Sequence, residues 1–238
     1  MDVLKAYFDM CKEKIVPLGF RRINQTHARI VNDVLQTLRF QRFTNGYTCT
    51  VEFGILPLCE VPWHPDITIY NLKQTEEWES YEDYIGWLYD RHSPDSVNAC
   101  VQEIAGFMDR QLLPLFEKAD CCETALPALK ELDVLLHDVR QSHFEKRGEK
   151  DEARVDWRFT SLFSTEKYFM ALKSGKYEYA NEVAKVLIHR LRPEDQLEYQ
   201  SLLDLANEGK VTQLEEILYE REQRALSKMQ KFRLTPIK

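Results

Sequence analysis

The stretch from Val34 to Ile55, VLQTLRFQRFTNGYTCTVEFGI, decides the fold of this 238-residue chain. Its first part alternates Val34, Leu38 and Phe40 with polar neighbours, and Thr44-Asn45-Gly46 follows. Its second part repeats apolar residues with period two, at Tyr47, Cys49, Val51, Phe53 and Ile55. Period-two alternation on both sides of an Asn-Gly pair is typical of a β-hairpin. We therefore predict a hairpin at the centre of a sheet, with one buried face and one wetter face.

The segments around the hairpin complete a small sheet with flanking helices. Residues 2–16 carry apolar residues at helical spacing, and short strands are predicted at 27–31 and 67–70. Ser93 and Pro94 form an N-cap and first-turn pair for a helix, which Pro114 should kink or end. A further helix is predicted over 125–139.

The segment Glu76 to Asp90 combines acids with aromatic residues. Trp78, Tyr81, Ile85 and Leu88 fall at i, i+3, i+7 and i+10, which predicts a helix with an aromatic face. The segment contains six acids and no Lys or Arg, whereas residues 20–50 carry five Arg and one Asp. The commoner explanation is a helix whose acidic face lies in solvent and whose aromatic face packs on the core. The basic strands would then partly balance the charge of the acids. The functional alternative is a docking surface for a basic partner.

The last third of the chain predicts helices with a weak internal repeat. Leu172-Lys173-Ser174-Gly175-Lys176 is answered by Ala206-Asn207-Glu208-Gly209-Lys210 at a spacing of 34 residues. We interpret this as two αα-hairpins that turn at Gly-Lys, with Pro193 starting the helix between them. Basic residues follow Glu222 without an acid, which suits either a helix C-terminus or a contact with an anionic partner.

The predicted fold class is α+β: a small antiparallel sheet of three or four strands flanked by helices, followed by an all-helical C-terminal region. The predicted division is an α+β domain at 1–120, a connecting helix and polar linker at 121–150, and a helical region at 151–238.

Composition excludes several function classes. A net charge of −7 and a pI near 5.5 argue against a general nucleic-acid binder. No apolar run approaches the roughly 18–20 residues that span a bilayer, and no signal peptide is visible, so we expect no membrane contact. Six scattered cysteines favour reduced thiols in a cytoplasmic protein.

Four segments resemble the bacterial domain-of-unknown-function 4304 family over roughly residues 1–120. They are Leu18-Gly19-Phe20-Arg21-Arg22, Leu38-Arg39-Phe40-Gln41, the strand 47–55 that ends in Gly54-Ile55, and the helix end Gln111-Leu112-Leu113-Pro114-Leu115-Phe116. The strand at 67–70 departs from the family because it lacks an arginine. The resemblance implies a bacterial protein and a fold, and it brings no catalytic motif.

The motifs of common chemistries are missing. Cys59 and His64, with Cys121 and Cys122, are the nearest approach to a metal set, but no CxxC or HxxxH pairing accompanies them. No G-x-S-x-G, G-x-G-x-x-G or phosphate-loop motif is present. We predict neither metal nor cofactor.

The leading prediction is therefore a non-enzymatic protein-interaction module of accessory or immunity type. Its contact surface would be the sheet face or the concave side of the helical hairpins. The alternative is an enzyme with a site of dispersed residues, such as a hydrolase acting on a small or nucleotide-like substrate. Candidate binding residues cluster where the 59–65 loop meets the acidic segment: Trp63, His64, Trp78, Glu82 and Trp87.

Overall fold

The hairpin predicted for residues 34–55 forms the centre of the sheet. The computed structural model describes residues 2–60, 62, 64–65, 70–75, 86–147 and 164–237, with the backbone alone for 139–147. Strand β3 (Val34–Arg42) pairs antiparallel with β4 (Thr48–Pro57) along its whole length. Asn45 shapes the turn because its Oδ1 accepts the backbone N–H groups of Tyr47 and Thr48, both at 3.1 Å.

Short strands extend the hairpin on both sides. The order is β1 (Arg21–Ile23), β2 (Thr26–Val31), β3, β4, β5 (Tyr70–Asn71), and neighbours on this path are antiparallel. Strand β6 (Trp87–Leu88) pairs with the start of β4. Strand β7 (Pro236–Ile237), at the end of the described chain, lies parallel to the end of β2.

The prediction of one wet sheet face is wrong. Thr48 and Thr50 are buried, and Leu35 and Leu56 belong to a second apolar cluster on that side. The cluster is completed by Ala225 and Met229 and by Leu234 of the C-terminal segment. Helices therefore cover both faces of the hairpin, and period-two patterning could not show this because the cover comes from the far end of the chain.

Both N-terminal helices begin at a capping side chain, and the cap predicted at Ser93 is confirmed. Asp2 caps α1 (Val3–Lys14), and Ser93 caps α2 (Pro94–Phe107) by accepting the N–H of Ser96 at 3.2 Å. The helix does not end at Pro114. It widens into a π-helical turn at Met108–Leu112 and continues as α3 (Leu113–Lys118). Pro114 has no backbone N–H to donate, and a π-helical turn is one way in which a helix accommodates such a missing hydrogen bond.

The predicted helix over Glu76–Asp90 is wrong at its C-terminal end, while residues 76–85 lie outside the described residues. Trp87 pairs with Cys49 and Leu88 with Thr48. Gly86 permits this pairing because the chain passes directly over β4. A Cβ at Gly86 would lie 2.1 Å from the carbonyl oxygen of Cys49. A glycine in such a close backbone approach fits a strand crossing better than a helix interior.

We expect Gly86→Ala to lower the free energy of unfolding by about 1–3 kcal/mol, because backbone atoms must move to admit the methyl group. Urea denaturation followed by tryptophan fluorescence would measure the change. Gly106→Ala is the matched control, since its Cβ would meet only the flexible end of Arg110 within a helix and should be neutral or stabilising. Equal effects of the two substitutions would contradict the proposed backbone clash.

The second half contains the predicted helical hairpins. Helix α4 (Cys122–Arg147) precedes α5 (Thr165–Lys173), α6 (Tyr177–Leu187), α7 (Pro193–Asn207) and α8 (Val211–Gln230). The two Gly-Lys turns have the same geometry. Gly175 and Gly209 have φ of +68° and +71°, and the N–H of the following lysine donates five residues back in both. This is the Schellman arrangement that ends a helix on a left-handed glycine.

The α+β prediction is confirmed: an N-terminal antiparallel sheet with helices precedes a mainly helical region. One apolar core contains Tyr7 and Phe53 from the sheet part together with Tyr168 and Leu214 from the helical part. The predicted division at residues 120 and 150 stays a prediction, and part of the linker lies outside the described residues.

Candidate functional site

Two short strands, β1 and β7, pair with different parts of the outer edge of β2, and a cleft lies between them. Strand β1 pairs with Thr26–Ala28, and β7 pairs with Ile30 and Val31, so Arg29 lies at the junction. The cleft has a volume of about 600 Å³. Its basic lining consists of Arg21, Arg22, Arg29 and Arg233, and its apolar lining includes Val16, Phe20, Phe232, Leu234 and Ile237. We call this site the arginine cleft.

Arg29 is fixed in place by neutral acceptors. Its Nε donates to Oε1 of Gln36 at 2.8 Å, and its Nη1 donates to the carbonyl of Leu18 at 2.7 Å. Gln36 is itself held, because its Nε2 donates to the carbonyls of Phe116 and Ala119 at 2.8 Å each. Burial lowers the pKa of Arg29, an effect that the charge of Glu117 partly opposes. A half-buried guanidinium whose hydrogen-bond acceptors are neutral can still form an ion pair with an anionic ligand.

The other three arginines are placed by the edge strands and the C-terminal turn. Arg22 lies over the ring of Phe8, with Cζ 3.5 Å from the centroid, and its Nε donates to the carbonyl of Asn24. Arg21 and Arg233 are exposed. Leu234 is buried under α8 and anchors the segment that carries Arg233.

Among the described residues, the charge of Glu117 acts on Arg29, but no ion pair joins an acid to the arginines of the cleft. Ion pairs between described residues use other cations, such as Lys14 with Asp109 and Arg42 with Asp2, and none includes the four arginines of the cleft. Guanidinium groups bind carboxylate or phosphate through paired N–H donors. The cleft is therefore suited to an anionic ligand.

A second group of interest is a buried polar cluster around the start of α5. Lys167 and Asp133 form an ion pair and are both almost wholly buried. Tyr70 donates to the second oxygen of Asp133 at 3.3 Å. Burial raises the pKa of Asp133 to about 6 although Lys167 lowers it.

Glu60 and Glu166 extend this cluster. Thr165 donates to Oε1 of Glu60, whereas Oε2 of Glu60 and Oε1 of Glu166 are enclosed without a hydrogen-bond partner among the described residues. Burial, and then the charge of Glu166, raises the pKa of Glu60 to about 8. Glu60 can therefore hold a proton near neutral pH, but neither Glu60 nor Glu166 lines the arginine cleft.

Of the five candidate binding residues, Trp63, Trp78 and Glu82 lie outside the described residues. The ring of His64 contacts Phe232 edge-on at 4.7 Å, which places this histidine beside the arginine cleft. Trp87 is buried in the main core against Phe107, with ring centroids 5.3 Å apart. His64 and Trp87 therefore contact different apolar clusters, and the structure does not bring them together.

The cysteines lie in the core or at helix starts. The thiols of Cys59 and Cys122 are neighbours, and the Sγ atoms of Cys49 and Cys100 are 3.7 Å apart. The neighbouring thiol and then burial raise the pKa of both Cys49 and Cys122. Within the described ranges, no three His, Cys, Asp or Glu side chains are arranged to hold a metal ion.

The arginine cleft could not be predicted from the sequence, although both of its sources of charge are visible there. The excess of arginine at 20–50 and the basic C-terminal segment were separate observations. Only the parallel pairing of β7 with β2 brings Arg233 to Arg21, Arg22 and Arg29. A two-residue strand some two hundred positions from its partner leaves no local signal.

In the part of the chain that the structure describes, no helix is both long and apolar enough to cross a membrane. The resemblance of residues 1–120 to the domain-of-unknown-function 4304 family stays a prediction. Comparisons with family models, with curated proteins and with solved structures find no match to this chain.

Proposed function

We propose that this chain is a non-enzymatic protein-interaction module that binds its partner through the arginine cleft. The observation that carries the proposal is the set of four arginines that line one cleft and form no ion pair with a described acid. Interfaces are enriched in arginine and aromatic residues, and opposite charge directs their assembly. Exposed Val16 and Leu18 beside the cleft add apolar contact area.

The cellular setting belongs to the same proposal. Six free cysteines support a reducing compartment such as the cytoplasm. The resemblance of residues 1–120 supports a bacterial origin and an accessory or immunity-type role.

We expect the double variant Arg21→Glu/Arg233→Glu to recover at least about tenfold less of the partner from host lysate than wild type does. Quantitative affinity capture with the full chain as bait would measure this. The control is Arg42→Glu/Arg91→Glu, which makes the same charge change at exposed arginines of a separate cleft near the β3–β4 turn. The proposal fails if no captured protein distinguishes the two variants.

The second candidate function is a hydrolase acting on a small or nucleotide-like substrate. It is favoured by Glu60, whose pKa of about 8 suits a general acid near neutral pH. Screening with phosphate and carboxylate esters would test it. A turnover that Glu60→Gln abolishes, and that the Arg21→Glu/Arg233→Glu variant retains, would favour the enzyme over the interaction module.

A further inference from the structure

Arg233 occupies the turn position that glycine occupies at the two similar helix ends, Gly175 and Gly209. At the end of α8, the N–H of Arg233 donates to the carbonyl of Gln230 at 2.8 Å, and the N–H of Leu234 donates to Met229 at 3.2 Å. The Gly175 and Gly209 turns make the same two bonds. Arg233 has φ of +58°, in the left-handed region, and the other described non-glycine residues with positive φ are asparagines.

A long side chain in this conformation is unfavourable, whereas glycine adopts it freely. The turn itself gains nothing from arginine, because the two glycine turns close with the same hydrogen bonds. Residues with a strained backbone of this kind cluster at functional sites, so the strain at Arg233 points to a role for its side chain. The side chain of Arg233 lines the arginine cleft, so the strained residue and the uncompensated charge coincide.

The shape of the arginine cleft favours an extended ligand. It lies beside β1 and β7, each of which has one edge without a strand partner in the described sheet. An added strand can bond to such edges through its main chain and place alternate side chains in the cleft. The lining offers both charged and apolar contacts, because it contains Val16, Phe20 and Phe232 beside the arginines.

Charge distinguishes a short acidic peptide from nucleic acid. The chain has a net charge of −7, so the positive charge of the cleft is local. Nucleic-acid affinity comes from many phosphate contacts along an extended basic surface. A cleft of about 600 Å³ instead holds a few side chains.

Resting on the proposed function, we propose that the arginine cleft binds a short, extended segment of a partner protein that turns both Asp or Glu and apolar side chains towards the cleft. Arg233 is a recognition residue for its carboxylates. Arg29, held by Gln36 and Leu18, supplies a fixed second charge, and Arg21 and Arg22 contact the same segment along β1.

Fluorescence anisotropy with the full chain tests this proposal. The probe is a labelled eight-residue peptide that repeats Glu-Glu-Val-Val, so that each face of the extended chain carries both residues. The comparison ligands are the matched peptide with Gln in place of Glu and an eight-nucleotide oligothymidylate. We expect the Glu peptide alone to bind, with an affinity that falls as salt is raised.

Arg233→Gly is the decisive variant because glycine relieves the backbone strain while removing the charge. We expect its melting temperature to rise and its affinity for the Glu peptide to fall about tenfold. Arg42→Glu/Arg91→Glu should bind as wild type does. An unchanged affinity of Arg233→Gly, equal binding of the Gln peptide, or tighter binding of the oligonucleotide would each overturn the proposal.

The outcome separates this inference from the proposed function. If lysate capture depends on Arg21 and Arg233 but the Glu peptide neither binds nor competes with the captured protein, the acidic-segment inference alone fails. If no capture depends on the cleft, the protein-interaction function fails.

Discussion

Lys167→Met is expected to lower the free energy of unfolding by about 3–5 kcal/mol. Lys167 and Asp133 are 0% and 1% exposed, so the substitution leaves a carboxylate buried without its cation. Tyr70 still donates to Asp133, but one neutral hydrogen bond does not replace the charge. Chemical denaturation near pH 7, followed by tryptophan fluorescence and far-UV circular dichroism, would give the value.

Two further variants define the cause of this loss. Lys118→Met removes a lysine that pairs with Glu131 on the surface, where 52% and 68% of the side chains are exposed, and should change stability by at most about 1 kcal/mol. Lys167→Met/Asp133→Leu removes both buried charges and should recover a large part of the loss. If the double variant is as unstable as Lys167→Met, lost packing rather than an unpaired charge is the cause.

This ion pair also shows why the sequence predicts the hairpin better than the polar interior. The alternation in 34–55 is local, so the strands and the Asn-Gly turn could be predicted from neighbouring residues. Lys167 has no such signal: it follows Glu166 in an ordinary helical segment, and its partner is 34 residues earlier. Its burial depends on how α5 packs against α4, and the spacing of apolar residues in either helix does not predict that packing.

In the candidate site too, features set by neighbouring residues could be predicted, and features that depend on distant parts of the chain could not. The Gly175 and Gly209 turns were predictable from their 34-residue spacing because each is complete within five residues. The arginine cleft requires β7 to return to the edge of β2, and the two-residue strand that does so is too short to predict. The acidic segment was assigned to a helix as far as Asp90 because the apolar spacing continued to Leu88. The close approach of Gly86 to Cys49 cannot be deduced from spacing.

The pH dependence of stability should change in Glu60→Gln. The pKa of Glu60 is raised from 4.5 to about 8, first by burial and then by the charge of Glu166. The folded protein therefore holds a proton that the unfolded chain releases. The resulting stabilisation is fully present below pH 4.5 and is lost as pH rises through about 8, at up to about 1.4 kcal/mol per pH unit.

Glutamine resembles the protonated carboxyl group and cannot ionise, so the variant should lack this loss. Its side-chain oxygen can still accept the hydrogen bond from Thr165. Urea denaturation at intervals between pH 4.5 and 8.5 should show similar stabilities at the acid end. From pH 5.5 to 7.5 we expect the wild type to lose about 2–3 kcal/mol relative to Glu60→Gln.

The comparison between the two proteins isolates Glu60 from the rest of the polar cluster. Asp133, with its pKa raised to about 6, adds a decline between pH 3.8 and about 6, but it is present in both proteins and cancels in the difference. The charge of Arg221 lowers the pKa of Glu60, and Arg221 also pairs with Glu198, which is half exposed to solvent, so Glu198→Gln is the matched control. Parallel stability curves for wild type and Glu60→Gln would mean that Glu60 is ionised in the folded protein. In that case the enclosed Oε2 must have a cationic partner, and the case for Glu60 as a proton donor in a hydrolase would be lost.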